Sequence, residues 1–240
     1  MPEGDTVYLA STRLHEALVG HQLAKSDFRV PRYATSDLSG RTVEEITSYG
    51  KHMLFRIEGD LLLHTHFKME GAWDLYRPGE AFRGPGWQIR IVLETDDRVA
   101  VGFRLPVIDL VAASKEKEFT GHLGPDPLRE WDEDEALARL ESKSDLTIGE
   151  ALLDQTVVAG FGNVYKSEIC FLRGIHPETK VSEVSELRAV LSLGHKLINA
   201  NRTTGRQITT GDGRRGQTHW VYGRGNRSCR RCGTPIKKMT

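Results

Sequence analysis

Leu152-Leu153-Asp154-Gln155-Thr156-Val157-Val158-Ala159-Gly160-Phe161-Gly162-Asn163-Val164-Tyr165 says most about how this chain folds. Just upstream, Thr147-Ile148-Gly149-Glu150 matches a capping box and opens a helical segment over 151–155. Just downstream, a second helical segment runs around 163–171. Two glycines bracketing an aromatic, followed by an asparagine where the helix restarts, specify a tight turn with exposed backbone N–H groups. Such a helix N-terminus is an anion site, and the Asn163 amide adds a donor for a phosphate. The same residues also read as a plain glycine-rich turn between helices in which Asn163 is only the N-cap.

Further out, helical periodicity continues at 132–141 and 183–200. The region from Leu23 to Val111 instead reads as strands. Residues 43–46, 53–57 and 61–66 are short apolar runs broken by Gly40, Gly50 and Gly59-Asp60. Residues 88–93 alternate, turn at Asp96-Asp97 and are answered by 99–103 as a hairpin. Ahead of the strands, Val7, Ala10, Leu14 and Leu18 fall at helical spacing over 5–19, with Gly20 as a stop. The Gly/Pro-rich joint at 121–127 separates the two patterns. Many short antiparallel strands followed by helices predict a β-sandwich or flattened barrel, a hinge, a helical domain and a basic appendix.

With 240 residues, 38% hydrophobic and 28% charged, the chain has ordinary globular composition. No run approaches the ~18–20 apolar residues of a membrane span. Glu3, Asp5, Arg13, His15 and Glu16 exclude the apolar core of a signal peptide. Three cysteines do not make a disulfide framework, which points to a reducing, cytoplasmic setting. The zero net charge hides an uneven distribution. Residues 201–240 carry eight Arg and two Lys against Asp212, a net of +9, whereas 126–150 is acidic. A basic tail on a neutral chain is the footprint of a polyanion, nucleic acid first. Trp220, Tyr222 and a cysteine pair are the wrong composition for a disordered tail.

Chemistry concentrates at the start, Met1-Pro2-Glu3-Gly4-Asp5. Once Met1 is removed, Pro2 presents a secondary amine with a carboxyl group on the next residue. An α-amine has a reference pKa of roughly 7.7–8, so the free base is well populated near neutrality. Such an amine can attack a sugar carbon and form a Schiff base, with Glu3 as proton donor. The plainer reading is an ordinary start to a helix with acids in its first turn. Lys51, between Gly50 and His52, is either a surface charge or a cation for a phosphate or a proton transfer. Met69, in Phe67-Lys68-Met69-Glu70-Gly71, is either a core gap-filler or an apolar wedge that holds the space of an extruded base. His64 and His66 share a strand face, a spacing that could suit a metal, and read rather as packed histidines. Cys229-Arg230-Arg231-Cys232-Gly233 has the knuckle spacing of structural zinc, but supplies half of the four ligands. Cys170 reads as packed, and His219 is poorly spaced to help.

Together these residues resemble the formamidopyrimidine-DNA glycosylase / endonuclease VIII family over essentially the whole chain. Pro2-Glu3-Gly4, Gly50-Lys51-His52, Lys68-Met69-Glu70-Gly71, His122-Leu123-Gly124-Pro125-Asp126, the 152–165 stretch with Glu168, and Cys229-x-x-Cys232-Gly233 occur in the family's order. The Pro-Glu-Gly-Asp-Thr start and Tyr222-Gly223-Arg224 look most like the actinobacterial endonuclease VIII-like branch. The resemblance implies an α+β multidomain fold. An N-terminal antiparallel β-sandwich with a flanking helix would occupy 1–120 and a hinge 121–127. A helix–two-turn–helix DNA-binding domain would occupy 128–205, and a basic segment with an incomplete zinc ribbon 206–240.

The resemblance also assigns roles. Pro2 would attack C1′ of a damaged nucleotide and Glu3 would protonate the ring oxygen. Lys51 would bind a phosphate and assist the eliminations. Lys68, Met69 and Glu70 would fill the void, while His122 and Asn163 would contact phosphates. Cys229 and Cys232 would hold structural Zn2+ as half a ligand set, because the family's second cysteine pair, and the arginine before it, do not occur before Thr240. No organic cofactor is implied. The expected activity is a base-excision-repair DNA glycosylase with abasic-site lyase activity. Its expected partner is double-stranded DNA containing oxidised bases or abasic sites, with pyrimidines favoured over purines. A nucleoid-associated monomer with no membrane partner is expected. The competing readings are a non-catalytic module that binds damaged DNA, and an enzyme of small phosphorylated molecules, which would leave the basic tail without a role.

Overall fold

In a computed structural model, which describes residues 2–238, the chain divides into two compact units. The first holds Pro2 and Val7–His122; the second holds Glu3–Thr6 and residues 123–238.

The first unit begins with most of helix α1 (Gly4–Leu18), whose Val7, Leu14 and Leu18 are fully buried, as their helical spacing requires. Two four-stranded antiparallel sheets follow. One has the order β1 (Lys25–Phe28), β6 (Ile89–Glu94), β7 (Val99–Phe103), β5 (Ala72–Tyr76). The other runs β2 (Val43–Tyr49), β3 (His52–Ile57), β4 (Leu61–His66), β8 (Val107–Ala112). Their shared core joins Met53, Phe55, Ile57 and Leu63 of one sheet to Trp73, Ile91, Leu93 and Ala100 of the other, with the apolar stripe of α1. The run Val99–Phe103 is buried at every position, which a half-exposed strand could not be. The reason is a second cluster, where Tyr76, Ile89, Val92, Val99, Val101 and Phe103 pack with Phe82. The expected 88–93 strand starts one residue later, because Gln88 closes a short 3-10 turn over Gly86–Gln88. Between β2 and β3 the register pairs Tyr49 with His52, leaving Gly50-Lys51 as a two-residue loop. Gly50 has φ +55, at the position where a II′ hairpin turn calls for glycine. A short helix, α2 (Glu116–Thr120), closes the unit.

The second unit is helical. Asp132 caps α3 (Glu133–Glu141) by accepting from the Glu135 N–H, and Thr147 with Glu150 forms the expected capping box on α4 (Ile148–Leu153). That helix stops at Leu153 rather than 155, because the Asp154 carboxylate turns to accept from the Thr156 N–H and hydroxyl. The turn to α5 (Asn163–Arg173) is clamped by Gln155, which donates to the Leu153 and Phe161 carbonyls and accepts from the Gly160 N–H. Phe161 is fully buried against α6 (Leu187–Asn201), where Gly194 makes room for its ring. A Cβ on Gly194 would lie 2.5 Å from that ring. Replacing Gly194→Ala is therefore expected to overpack this junction and cost about 1–3 kcal/mol. A lower urea midpoint at unchanged m-value would register it.

Candidate active site and nucleic-acid interface

Glu3 lies at the entry to α1, where its carbonyl accepts from the Thr6 N–H. Its side chain is fully buried and ends on the first turn of α5. One carboxylate oxygen accepts from the Val164 N–H at 2.7 Å; the other accepts from Gly162 at 2.9 Å and Tyr165 at 3.4 Å. The first N–H groups of a helix have no partner within it, and the helix dipole favours a negative group there. Gly162 is essential to the approach, since a Cβ on it would lie 2.5 Å from the Glu3 Cδ. The α5 N-terminus is thus an anion site, as its sequence suggests. The anion on its backbone N–H groups, however, is Glu3 and not an external phosphate. The alternative of Asn163 as N-cap is also corrected: Gly162 is the N-cap, and half-buried Asn163 is the first helical residue.

Asp5 extends this arrangement. It is buried, accepts from the Tyr165 hydroxyl at 2.9 Å and from Gln207 at 3.2 Å, and burial raises its carboxyl pKa against those hydrogen bonds. Pro2, half-buried, precedes Glu3 directly. Met1 and its removal lie outside the described residues.

Within the first unit, Lys51 occupies the hairpin turn beside His52. His52, His64 and His66 share a face of β3 and β4, as the pairing of His52 with His66 and of Leu54 with His64 dictates. His52 Nδ1 is 2.9 Å from His64 Nε2, and His64 Nδ1 is 3.4 Å from an Asp109 oxygen. His64 is buried and stacks on Phe119. Burial, then neighbouring His66, His64, His122 and Lys68, push His52 down to about 3. Burial and nearby cations bring His66 to about 4, and burial lowers His64 despite Asp109. These are neutral, packed imidazoles, as expected. His122 is exposed at the end of this unit.

Met69 is 66% exposed at the tip of a turn in which Lys68 has φ +49. Its reading as a core gap-filler is thereby overturned. Lys68 and Glu70 flank it, both exposed.

Glu168 has no role that its local sequence assigns. On α5 this fully buried carboxylate accepts from the backbone N–H groups of Trp220, Val221 and Tyr222, each at 2.8 Å, and from the Thr209 hydroxyl. The available signal was an acid set on an apolar stripe, one turn after Val164-Tyr165 and beside Ile169-Cys170. Glu168 thus fastens the basic segment. Part of that segment's charge serves its own structure. Arg231 lies 4.6 Å over Phe171 and 5.4 Å over Trp220, and Arg230 donates to the His219 and Gly216 carbonyls.

Cys229 and Cys232 sit on a tight turn closed by the Gly233 N–H to Cys229 carbonyl bond and an isolated bridge between Ser228 and Pro235. Hydrogen bonds from Thr234 and Cys229 lower the Cys232 pKa. Structural zinc takes four ligands. Among the described residues, no group of three or more His, Cys, Asp or Glu could hold a metal, so these residues do not complete such a site. Cys170 is buried, its thiol pushed up to about 11 by burial. A cavity of about 540 Å³ is lined by Glu130, Trp131, Asp132, Glu133, Asp134 and Arg188; its four acids would repel a polyanion. No helix among the described residues is long and apolar enough to cross a membrane.

Comparison with known proteins agrees with this architecture. Residues 1–105 match the formamidopyrimidine-DNA glycosylase N-terminal domain, and residues 123–201 match the formamidopyrimidine-DNA glycosylase H2TH domain. A probable endonuclease 8 2 of Streptomyces coelicolor is 52% identical over 99% of this chain and 87% of its own length. The DNA-(apurinic or apyrimidinic site) lyase Nei2 of Mycolicibacterium smegmatis is 43% identical over 99% of this chain and 92% of its own length. Among solved structures, the Lactococcus lactis formamidopyrimidine-DNA glycosylase bound to DNA with an abasic site superposes with a TM-score of 0.83. It covers 99% of this chain and 94% of that one at 24% identity, which speaks to the fold.

Two expectations follow from the buried groups. An unfolded imidazole, with a pKa near about 6.5, takes up a proton that native His52 refuses until about 3. Stability is therefore lost as pH falls between these values, approaching about 1.4 kcal/mol per pH unit for this residue well below the unfolded pKa. Urea unfolding at pH 7.5, 6 and 5 should show a shallower dependence for His52→Gln than for wild type. Glu168→Ala leaves three backbone donors without their carboxylate, at about 1–3 kcal/mol each. Trypsin cleavage within 202–231 should accelerate at least about tenfold as that segment opens more often.

Proposed function

This chain belongs to the formamidopyrimidine-DNA glycosylase / endonuclease VIII family, and we propose on that footing that it is a base-excision-repair DNA glycosylase with abasic-site lyase activity. The observation that carries the reading is the seating of Glu3, directly after Pro2, on the N-terminus of α5. A reactive amine needs a fixed neighbour to manage protons, and three backbone N–H groups leave that carboxyl group little freedom.

The free Pro2 amine attacks C1′ of a damaged nucleotide as the bond to the base breaks, and the base leaves with a proton. The attacking nitrogen's proton passes to the Glu3 carboxylate, which delivers it to the ring oxygen; the sugar opens, and the nitrogen lone pair thus freed forms an iminium with C1′. The positive nitrogen acidifies the C2′ hydrogen. Loss of that proton expels the 3′ phosphate, and water then releases the amine. One covalent intermediate thus serves base removal and strand cleavage, and no organic cofactor has a step to perform.

Lys51, at the second position of its hairpin turn, neutralises the adjacent phosphate and assists the eliminations. Met69, between Lys68 and Glu70, fills the space of the extruded nucleotide; its exposure at the tip of a turn suits that role. Asn163 and His122 contact phosphates. Oxidised pyrimidines are the favoured lesions and oxidised purines the alternative. The protein works as a monomer on nucleoid DNA in the cytoplasm, and Cys229 and Cys232 contribute two ligands to any structural zinc.

Sodium borohydride should trap wild-type protein on duplex DNA containing an abasic site. Pro2→Ala should abolish trapping, and Lys51→Ala should slow nicking by about 10²-fold or more. N-terminal sequencing of active protein should read proline first. An undiminished trapped yield with Pro2→Ala would remove the nucleophile from its role. Lesion binding with no nicking by wild type would favour the non-catalytic module.

A further inference from the structure

We propose that Trp87 is a second DNA-stacking side chain, set beside Met69 by Arg104, that stacks on the base left unpaired opposite the extruded nucleotide. The proposal rests on the repair reading above and extends it to a residue with no assigned role.

Trp87 is 74% exposed, more than any other large hydrophobic side chain among the described residues, with Met69 next at 66%. Single exposed apolar residues are common and need no explanation. Here the two most exposed are bound together by one guanidinium. Arg104 Nε donates to the Glu70 carbonyl at 3.1 Å, and its NH1 donates to Gln88 Oε1 at 2.5 Å. Its backbone N–H donates to the Gln88 carbonyl at 2.8 Å. Arg104 therefore fixes the residue after Met69 and the residue after Trp87 at the same time.

Both loops are built rather than slack. Gly71 N–H closes the Met69 turn on the Phe67 carbonyl at 2.8 Å, and Gln88 N–H closes the Trp87 turn on Pro85 at 3.0 Å. Arg90 NH1 holds the Trp87 carbonyl at 2.8 Å. Lys68 and Arg104 both take left-handed backbone, with φ +49 and +47, which non-glycine residues rarely adopt unless the surroundings hold them there. The backbone of the turn is thus held while its indole stands in solvent.

The surrounding charge fits a nucleic acid. Lys68, Arg77, Arg83 and Arg104 outnumber Glu70 and Glu80 on these loops. Extruding one nucleotide leaves two openings, a gap in the damaged strand and an unstacked partner base across from it. Unbranched Met69 suits the gap. A flat indole suits the π-face of the orphaned base, and it tolerates any of the four bases because it stacks without reading hydrogen bonds.

The test uses the full-length protein and a duplex carrying a tetrahydrofuran abasic analogue opposite 2-aminopurine, whose fluorescence falls on stacking. Wild type should quench it. Trp87→Ala should leave it bright and weaken binding to this duplex about tenfold, within the range for loss of one base–aromatic stack. Trp87→Phe should restore most of both, and Arg104→Ala should reproduce the alanine effect. Affinity for undamaged duplex and the salt slope should not change in Trp87→Ala, which removes no charge. An unchanged thermal midpoint would show that the variant folds. Equal quenching and affinity in Trp87→Ala and wild type would overturn the proposal, as would an equal loss on damaged and undamaged duplex. Wild type that fails to prefer the abasic duplex at all would instead defeat the repair reading, and this proposal with it.

Discussion

The carboxylate of Glu3 on the open N–H groups of α5 is the constraint on which the N-terminal stretch of the second unit depends. It solves two problems with one contact. A buried carboxylate needs hydrogen-bond donors, and a helix start buried without an acceptor would leave its amides unsatisfied. Each group answers the other. Gly4, Gly160 and Gly162 are the steric condition for this. A Cβ on Gly4 would lie 3.0 Å from the Gly160 Cα, and one on Gly162 would collide with Glu3 itself. Asp5, Tyr165 and Gln207 continue the same polar network.

A second carboxylate on the same helix repeats the device at the other end of the chain. Glu168 accepts from three consecutive backbone N–H groups and so gives order to a segment that has little apolar core of its own. Helix α5 thus organises both a short N-terminal stretch and a basic C-terminal one. Arg231, folded back over Phe171 and Trp220, and Arg230, spent on backbone carbonyls, show that the net charge of a segment overstates the charge it can offer a partner.

Much of this architecture was legible in the residues. Glycine-punctuated apolar runs gave β2, β3 and β4, the Asp96-Asp97 turn gave β6 and β7, and the Thr147–Glu150 pattern gave the start of α4. Strands β1, β5 and β8 were not singled out. Lys25–Phe28 is short and mostly polar, and it is a strand because β6 offers it an edge. The acids at positions 3 and 168 were visible, but their partners were not, because those contacts join residues 159 and 52 apart and leave no local period. The Met69 loop is a middle case. Met69 was noticed for its motif, whereas Arg104 and Trp87 acquire meaning only when three separate turns are seen to share one side chain.

The separation between Glu3 and α5 has a bearing on synthesis. Glu3 emerges from the ribosome early, yet the amides that seat it are made some 160 residues later, on the order of ten seconds at ordinary elongation rates. During that interval Glu3 is a carboxylate on a nascent polypeptide without the donors that bury it. It finds them only when the second half of the protein folds, so a ribosome that stalls before residue 162 releases a product in which Glu3 has no seat.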